Sequence, residues 1–283
     1  MKKVLIIGYG YVGKGVHASL EGKHFKNEFS NYIVDFYDPK IEGSVQYPNF
    51  DTTNEYDAIF LCLPTPTSPV NGRCDYSLIQ WYLTHLSDFK GLLIVKSTVS
   101  PSGMKWISKY YPDIIYIPEF LTEKNWLEDS LRFKDKVIVG CQSDKIEKLT
   151  EFFSMAAINW DSVRGKLTPH YIQVDPVTAA MYKYSANSFL AMKVVFMHEM
   201  HKWCKSENVM SADQWDDLVM AMQTDPRLGT SHFKAPGDHG YGYSGSCFPK
   251  DVEAFINESN GELALLEHAH YRNKSLRAFN NKL

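Results

Sequence analysis

A chain of 283 residues, 44% hydrophobic and 22% charged, has enough apolar material for a sizeable core and the length of two domains. Its formal net charge of -3 gives no reason to expect nucleic acid or an anionic membrane as a partner. Five cysteines, odd in number and with no Cys-x-x-Cys pair, argue against a disulfide framework and a metal site, and for a reducing, cytoplasmic setting.

Met1-Lys2-Lys3 superficially resembles the start of a signal peptide, but Gly8 and Gly10 break the apolar run at once, so residues 4–7 are expected to be a strand buried on both faces. No stretch approaches the roughly 20 apolar residues a membrane span needs. A helix is predicted over 14–20 and strands over 32–37 and 57–63, the last stopped by Pro64-Thr65-Pro66-Thr67. Residues 76–86 read as a helix, and 92–95, 114–117 and 136–139 as strands. Strands alternating with helices imply a doubly wound α/β sheet. Residues 164–175, with Gly165, Pro169 and the following Pro176, read as a connection between domains. A long helix is expected over about 177–207, and further helices over 212–222 and from 262 to the end. The expected organisation is a Rossmann-like dinucleotide-binding domain over 1–165 and a mainly α-helical central domain over 166–283.

Gly8-Tyr9-Gly10-Tyr11-Val12-Gly13 follows a strand and opens a helix, the context in which Gly-x-Gly-x-x-Gly binds a dinucleotide. The glycines let a pyrophosphate reach the helix N-terminus, at the amides of Tyr11, Val12 and Gly13. Asp38, at the end of the second strand, is the acid expected to bond the ribose 2′-hydroxyl, which favours NAD over NADP; Asp35 is the alternative. The gap from Gly13 to Asp38 exceeds the usual roughly 20 residues, and the stretch between residues 21 and 31 reads as an insertion.

Near the end, Cys247 stands in a glycine-rich run that continues into Phe248-Pro249-Lys250-Asp251. Pro249 suits the first position of a helix, which puts Cys247 at a helix N-terminus beside Lys250, where dipole and ammonium both favour a thiolate. A small buried hydrophobe is the other reading of such a cysteine. Lys183 and Asn187, four apart on one helical face, could supply an ammonium and an amide to a developing oxyanion. Thr98 and Glu119 follow strand ends, where open α/β sheets hold ligands, and Glu123 would lie one helical turn beyond Glu119.

In this order, these motifs resemble the UDP-glucose/GDP-mannose dehydrogenase family. Further matching blocks are Lys96-Ser97-Thr98-Val99, Pro118-Glu119-Phe120-Leu121, Lys183-Tyr184-Ser185-Ala186-Asn187, Asp225-Pro226-Arg227 with Gly229, and Gly245-Ser246-Cys247-Phe248-Pro249-Lys250-Asp251. The resemblance implies NAD-dependent oxidation of the C6 hydroxyl of a nucleotide sugar, UDP-glucose foremost, by two hydride transfers through a thiohemiacetal and a thioester on Cys247. It implies oxyanion stabilisation by Lys183 and Asn187, a water held by Thr98 and Asp251, and acid–base work by Glu119. It also places Thr65, Thr98, Glu123 and Lys250 toward the cofactor.

The sequence departs from the family at Ser244, where a glycine is usual, at Ala180, where a glutamate is common, and at His198, where an asparagine is common. The resemblance also implies a C-terminal domain that binds the substrate nucleotide, which this sequence, ending at Leu283, lacks. Two alternatives follow: a single-step β-hydroxyacid-type dehydrogenase, and a partner-dependent NAD-binding subunit whose missing domain comes from a second chain. A homodimer through the C-terminal helix is a further expectation, because Leu263, Leu265, Leu266 and Ala269 need a cover.

Overall fold

The computed structural model describes residues 1–21, 31–45, 50–121, 123–131, 137–154 and 171–280. The expected insertion, Lys136 and most of the expected connector lie outside the described residues. The chain divides into two compact units, one of Met1–Pro66 with Asp75–Lys183, the other of Thr67–Cys74 with Tyr184–Leu283. Among the described residues, no helix is long and apolar enough to cross a membrane.

Among the described residues, the first unit is built on seven strands: β1 (Lys2–Ile7), β2 (Tyr32–Tyr37), β3 (Ala58–Leu61), β4 (Leu92–Val95), β5 (Ile115–Tyr116), β6 (Val137–Gly140) and β7 (Tyr171–Val174). They lie in the order β2-β1-β3-β4-β5-β6-β7, all parallel except the β5–β6 pair. The period of two along each strand sends Leu5, Ile7, Ile59, Leu61 and Val95 into one core, and Val4, Ile6, Ala58, Phe60 and Ile94 into the other. Both faces are thus covered, as continuous apolar strands demand. Each buried Leu or Ile contributes about 1.5–3 kcal/mol.

Between the strands run α1 (Tyr11–Glu21), α2 (Ser77–His85), α3 (Pro101–Tyr110), α4 (Trp126–Leu131) and α5 (Ser143–Ser154). Helix α3 has a local start signal: Ser100 caps it by accepting from the Gly103 amide, and Pro101 follows. The doubly wound α/β sheet is as the alternation predicted, with two corrections. Strand β7 lies inside the stretch read as a connector, because Gln173 interrupts its apolar residues and Pro169 and Pro176 on either side read as loop signals. Strand β6 runs antiparallel to β5, which no local pattern signals.

Helix α6 (Pro176–Ser206) is the long helix, and the second unit takes its residues from Tyr184 onward. With α7 (Ala212–Thr224), α8 (Phe248–Ser259) and α9 (Ala264–Asn280), it makes that unit mainly helical. Ala191, Val195, Tyr241, Tyr243, Val252, Leu266 and Leu276 form its principal core. Segment 67–74 belongs to this unit. Its Arg73 bonds the Asn257 carbonyl at 3.3 Å and Asn260 Oδ1 at 2.8 Å, a cation at the C-terminal end of α8.

Candidate active site

In the first unit, the order β2-β1-β3 places a switch point at the ends of β1 and β3, where open sheets bind ligands. Gly8 turns the chain there with φ +92°, and a Cβ would stand 2.4 Å from the Cys62 carbonyl oxygen. At Gly13 a Cβ would meet the Gly8 carbonyl oxygen at 2.2 Å. Both glycines are needed for the turn itself. At Gly10 nothing lies within 4 Å, so that position is open to a ligand. Helix α1 begins at Tyr11, three residues earlier than predicted, so the amides of Tyr11, Val12 and Gly13 form its first turn.

Asp38 sits just past β2. Its Oδ2 accepts the Tyr9 amide at 2.9 Å and its Oδ1 the Lys40 amide at 3.0 Å. Each oxygen retains a lone pair, which suits a ribose diol. Asp35 instead accepts from the Tyr56 hydroxyl at 2.9 Å. The turn, the open Gly10 and the held Asp38 together fit a dinucleotide.

At the ends of β4 and β5, Lys96 and Glu119 pair at 2.8 Å with little exposure. Glu119 Oε1 also accepts the amides of Phe120 at 2.7 Å and Leu121 at 3.1 Å. All these partners are donors, as an acceptor-only carboxylate requires. Lys183, buried on α6, donates to the Glu119 carbonyl and lies 4.7 Å from the centre of the Phe120 ring. Thr65 is buried just beyond β3, and Thr98 lies half-buried just beyond β4. Glu123 is exposed and opens a short 3₁₀ turn, whereas Glu119 lies in non-helical backbone, so the predicted helical turn between them does not exist. Lys96 belongs to the matching block Lys96-Ser97-Thr98-Val99, but nothing in the sequence marks it as the partner of Glu119.

In the second unit, Cys247 occupies the N-cap position of α8, makes no side-chain capping bond there, and is partly exposed. Pro249 falls at the second helical position rather than the first. Asp251, 1% exposed, sends its amide to the Cys247 carbonyl at 2.9 Å. Its Oδ2 accepts from Asn187 Nδ2, and its Oδ1 from Lys250 Nζ, each at 2.6 Å. The ammonium expected beside Cys247 is thus committed to a buried carboxylate. Burial pushes the Cys62 thiol up to about 12, although Lys96 draws it down, and burial raises Cys141 as well. The remaining Cys74 and Cys204 are buried. Cysteines so placed are inert, which singles out Cys247.

The loop entering α8 is held without a sheet. Asn280 accepts the Tyr241 amide at 2.8 Å and donates to its carbonyl at 2.9 Å. Asn273 does the same for Tyr243, at 2.6 Å and 3.1 Å. The two asparagines, seven apart on α9, thus stand in for a neighbouring strand. Ser244 is accommodated because the left-handed positions of this loop are Gly240, Gly242 and Gly245, not residue 244. Ala180 is fully buried in an apolar core, where a glutamate would need a partner. The apolar face of α9 is largely self-covered: Leu266 is buried in the unit's core and Leu263 packs against it. Leu265 and Ala269 line an open groove of about 500 Å³ with Phe189, Phe196 and Leu228. Among the described residues, no group of His, Cys, Asp and Glu side chains could hold a metal ion.

These features define a class: a dinucleotide-binding α/β unit joined to a helical unit with a cysteine at a helix N-cap position. Residues 36–156 match the NAD binding domain of the UDP-glucose/GDP-mannose dehydrogenase family, and residues 177–275 its central domain. The chain belongs to this family, as its motifs implied. It is 28% identical over 282 residues to UDP-glucose 6-dehydrogenase of Rickettsia bellii, covering 89% of this chain and 61% of that protein. It spans about three fifths of the length of the Rickettsia relatives it matches. A UDP-glucose dehydrogenase from the archaeon Pyrobaculum islandicum shares the fold, with TM-score 0.74 and 24% identity over 99% of this chain and 68% of that one. So does 3-hydroxyisobutyrate dehydrogenase of Mycobacterium tuberculosis, with TM-score 0.71 and 14% identity over 98% and 94%.

Proposed function

We propose that this chain carries the catalytic residues of an NAD-dependent nucleotide-sugar 6-dehydrogenase, oxidising UDP-glucose to UDP-glucuronate in the cytoplasm. The observation that carries the reading is Cys247 at the N-terminus of α8, one turn before the buried Asp251 that holds Asn187 and Lys250. When bound, NAD supplies the hydride acceptor for each of the two oxidations. Cys247 Sγ attacks the C6 aldehyde left by the first, forming a thiohemiacetal. The second oxidation leaves a thioester on the same sulfur, and water releases the acid; Asp251, one turn beyond Cys247, is the residue of the second unit that the resemblance assigns to that water. Covalent capture keeps the aldehyde from escaping between the two steps.

Lys183 carries an ammonium and Asn187 an amide N–H₂, and each is held by a neighbour, the Glu119 carbonyl and the Asp251 carboxylate. Those donors stabilise the oxyanion on C6, while the bonds already made hold the two side chains still. Glu119 accepts the proton of the C6 hydroxyl. The turn from Gly8 to Gly13, with Asp38, Thr65, Thr98, Glu123 and Lys250, serves the cofactor.

The test is the stoichiometry of NADH release across UDP- and GDP-sugars. Two NADH per sugar acid are expected, and none of the acid from Cys247→Ala. One NADH per turnover, or full activity in Cys247→Ala, would favour the second reading, a single-step β-hydroxyacid-type dehydrogenase. That reading draws support from a likeness in fold over nearly the whole length of 3-hydroxyisobutyrate dehydrogenase. If the chain binds NAD but turns over only with a second polypeptide added, it is a partner-dependent subunit.

A further inference from the structure

His198 is 2% exposed on α6 and spans two points of the loop that leads to Cys247. Its Nδ1 lies 2.7 Å from the Gly242 amide nitrogen, and its Nε2 lies 2.9 Å from the Lys234 carbonyl oxygen. A backbone amide only donates and a carbonyl only accepts, so the ring is neutral with its proton on Nε2. An asparagine side chain offers the same pairing, one acceptor and one donor. This fits the asparagine that the family resemblance puts at this position. The difference is that an imidazole titrates and an amide does not.

Gly242 leaves little slack. It has φ +84°, and a Cβ there would stand 2.7 Å from Asn273 Oδ1. Three consecutive amides are held by side chains, Tyr241 by Asn280, Gly242 by His198 and Tyr243 by Asn273. Only three residues separate Tyr243 from Cys247, the N-cap residue of α8. A proton on Nδ1 would set two donors against each other at Gly242.

We infer that His198 is a positioning residue for Cys247: as the neutral imidazole it pins Lys234 and Gly242, and its protonation releases the loop that carries the cysteine. The ionisable groups around it are few. His201 lies on the same helix, Tyr241 and the Lys234–Asp238 ion pair on the loop, and Arg277 on α9, bonded to the His239 carbonyl. Burial lowers the pKa of His198 and the Lys234 carbonyl raises it, so the neutral form is the rule near neutrality. This role rests on the reading of Cys247 as the nucleophile, so its test needs readouts that do not require turnover.

Hydrogen exchange of the peptide covering 240–247, and alkylation of Cys247 by iodoacetamide read by mass spectrometry, would be followed from about pH 8 to about pH 5. The proteins are wild type, His198→Asn and His198→Ala. Taking ratios between proteins at each pH cancels the intrinsic pH dependence of both reactions. Wild type and His198→Asn should match at the alkaline end. At the acid end, wild type should lose protection by about fivefold relative to His198→Asn, the factor for one ordinary hydrogen bond, with alkylation diverging over the same range. His198→Ala should be deprotected throughout. A wild-type to His198→Asn ratio that stays flat with pH overturns the inference, even if His198→Ala fails to fold. If no nucleotide sugar is turned over while the ratio still diverges, the proposed activity fails and the loop device stands.

Discussion

Asn187 and Asp251 are bonded at 2.6 Å, from α6 to the first turn of α8, around a carboxylate that is 1% exposed. The bond ties the proposed oxyanion donor to the helix whose N-cap position Cys247 occupies. A hydrogen bond to a buried charge contributes about 1.5–3 kcal/mol, and its partners do not act independently. A double-mutant cycle with Asn187→Ala and Asp251→Ala, read by urea unfolding, should give a coupling energy in that range. A coupling near zero would mean that the two groups are held by their surroundings rather than by each other.

Gly8 and Gly10 should separate folding from cofactor binding. Gly8→Ala places a Cβ 2.4 Å from the Cys62 carbonyl oxygen at φ +92°, and should cost more than about 1 kcal/mol of stability. Gly10→Ala meets nothing within 4 Å, so the fold should keep its stability while NAD affinity falls about tenfold or more. Thermal melts and NADH fluorescence titration check the two effects separately. A Gly10→Ala protein that binds NADH as wild type does would place the pyrophosphate elsewhere.

Asn273 satisfies the buried amide and carbonyl of Tyr243. Asn273→Ala strands both, at about 1–3 kcal/mol for each group left unpaired. Asn273→Asp should recover the amide bond only and fall between the two. Urea unfolding ranks the three proteins, and equal stability of Asn273→Ala and wild type would show that water replaces the clamp.

Four histidines of the helical unit, His198, His201, His232 and His270, are lowered from 6.5, chiefly by burial. The unfolded chain therefore binds protons more readily than the folded one. Their contribution to stability is complete above 6.5 and is lost as the pH falls through the folded values. Asp175 titrates in a lower window. The Thr178 hydroxyl and the Thr178 and Val177 amides hold it below the ordinary 3.8 against burial, so its contribution goes only in stronger acid. Melting temperatures of the whole chain should be level around neutrality and fall below about pH 6.5. Replacing His198 by asparagine should shallow the fall.

Much of this protein is written locally. Residues 32–37 and 92–95 form strands with the predicted bounds: 92–95 is an unbroken apolar run, and 32–37 a run of aromatic and β-branched residues interrupted only by Asp35. Cys247 is legible as a helix cap because glycines precede it and a proline follows. Strand β7 is not legible, because Gln173 interrupts its apolar residues and Pro169 and Pro176 on either side read as loop signals. The apolar positions expected to need a cover near the C-terminus look alike in the sequence, since periodicity cannot tell Leu266, which turns to its own core, from Leu265, which lies 75% exposed.

The sequence by itself determined the doubly wound α/β plan, the dinucleotide turn and the identity of the proposed reactive groups, because each rests on residues adjacent in the chain or one helical turn apart. Only the tertiary structure decided the partners of those groups. Lys96 meets Glu119, Asn187 meets Asp251, and His198 reaches Gly242 across separations that no local pattern encodes. A buried donor or acceptor must find its complement wherever packing brings one, so polar satisfaction is settled by the fold as a whole.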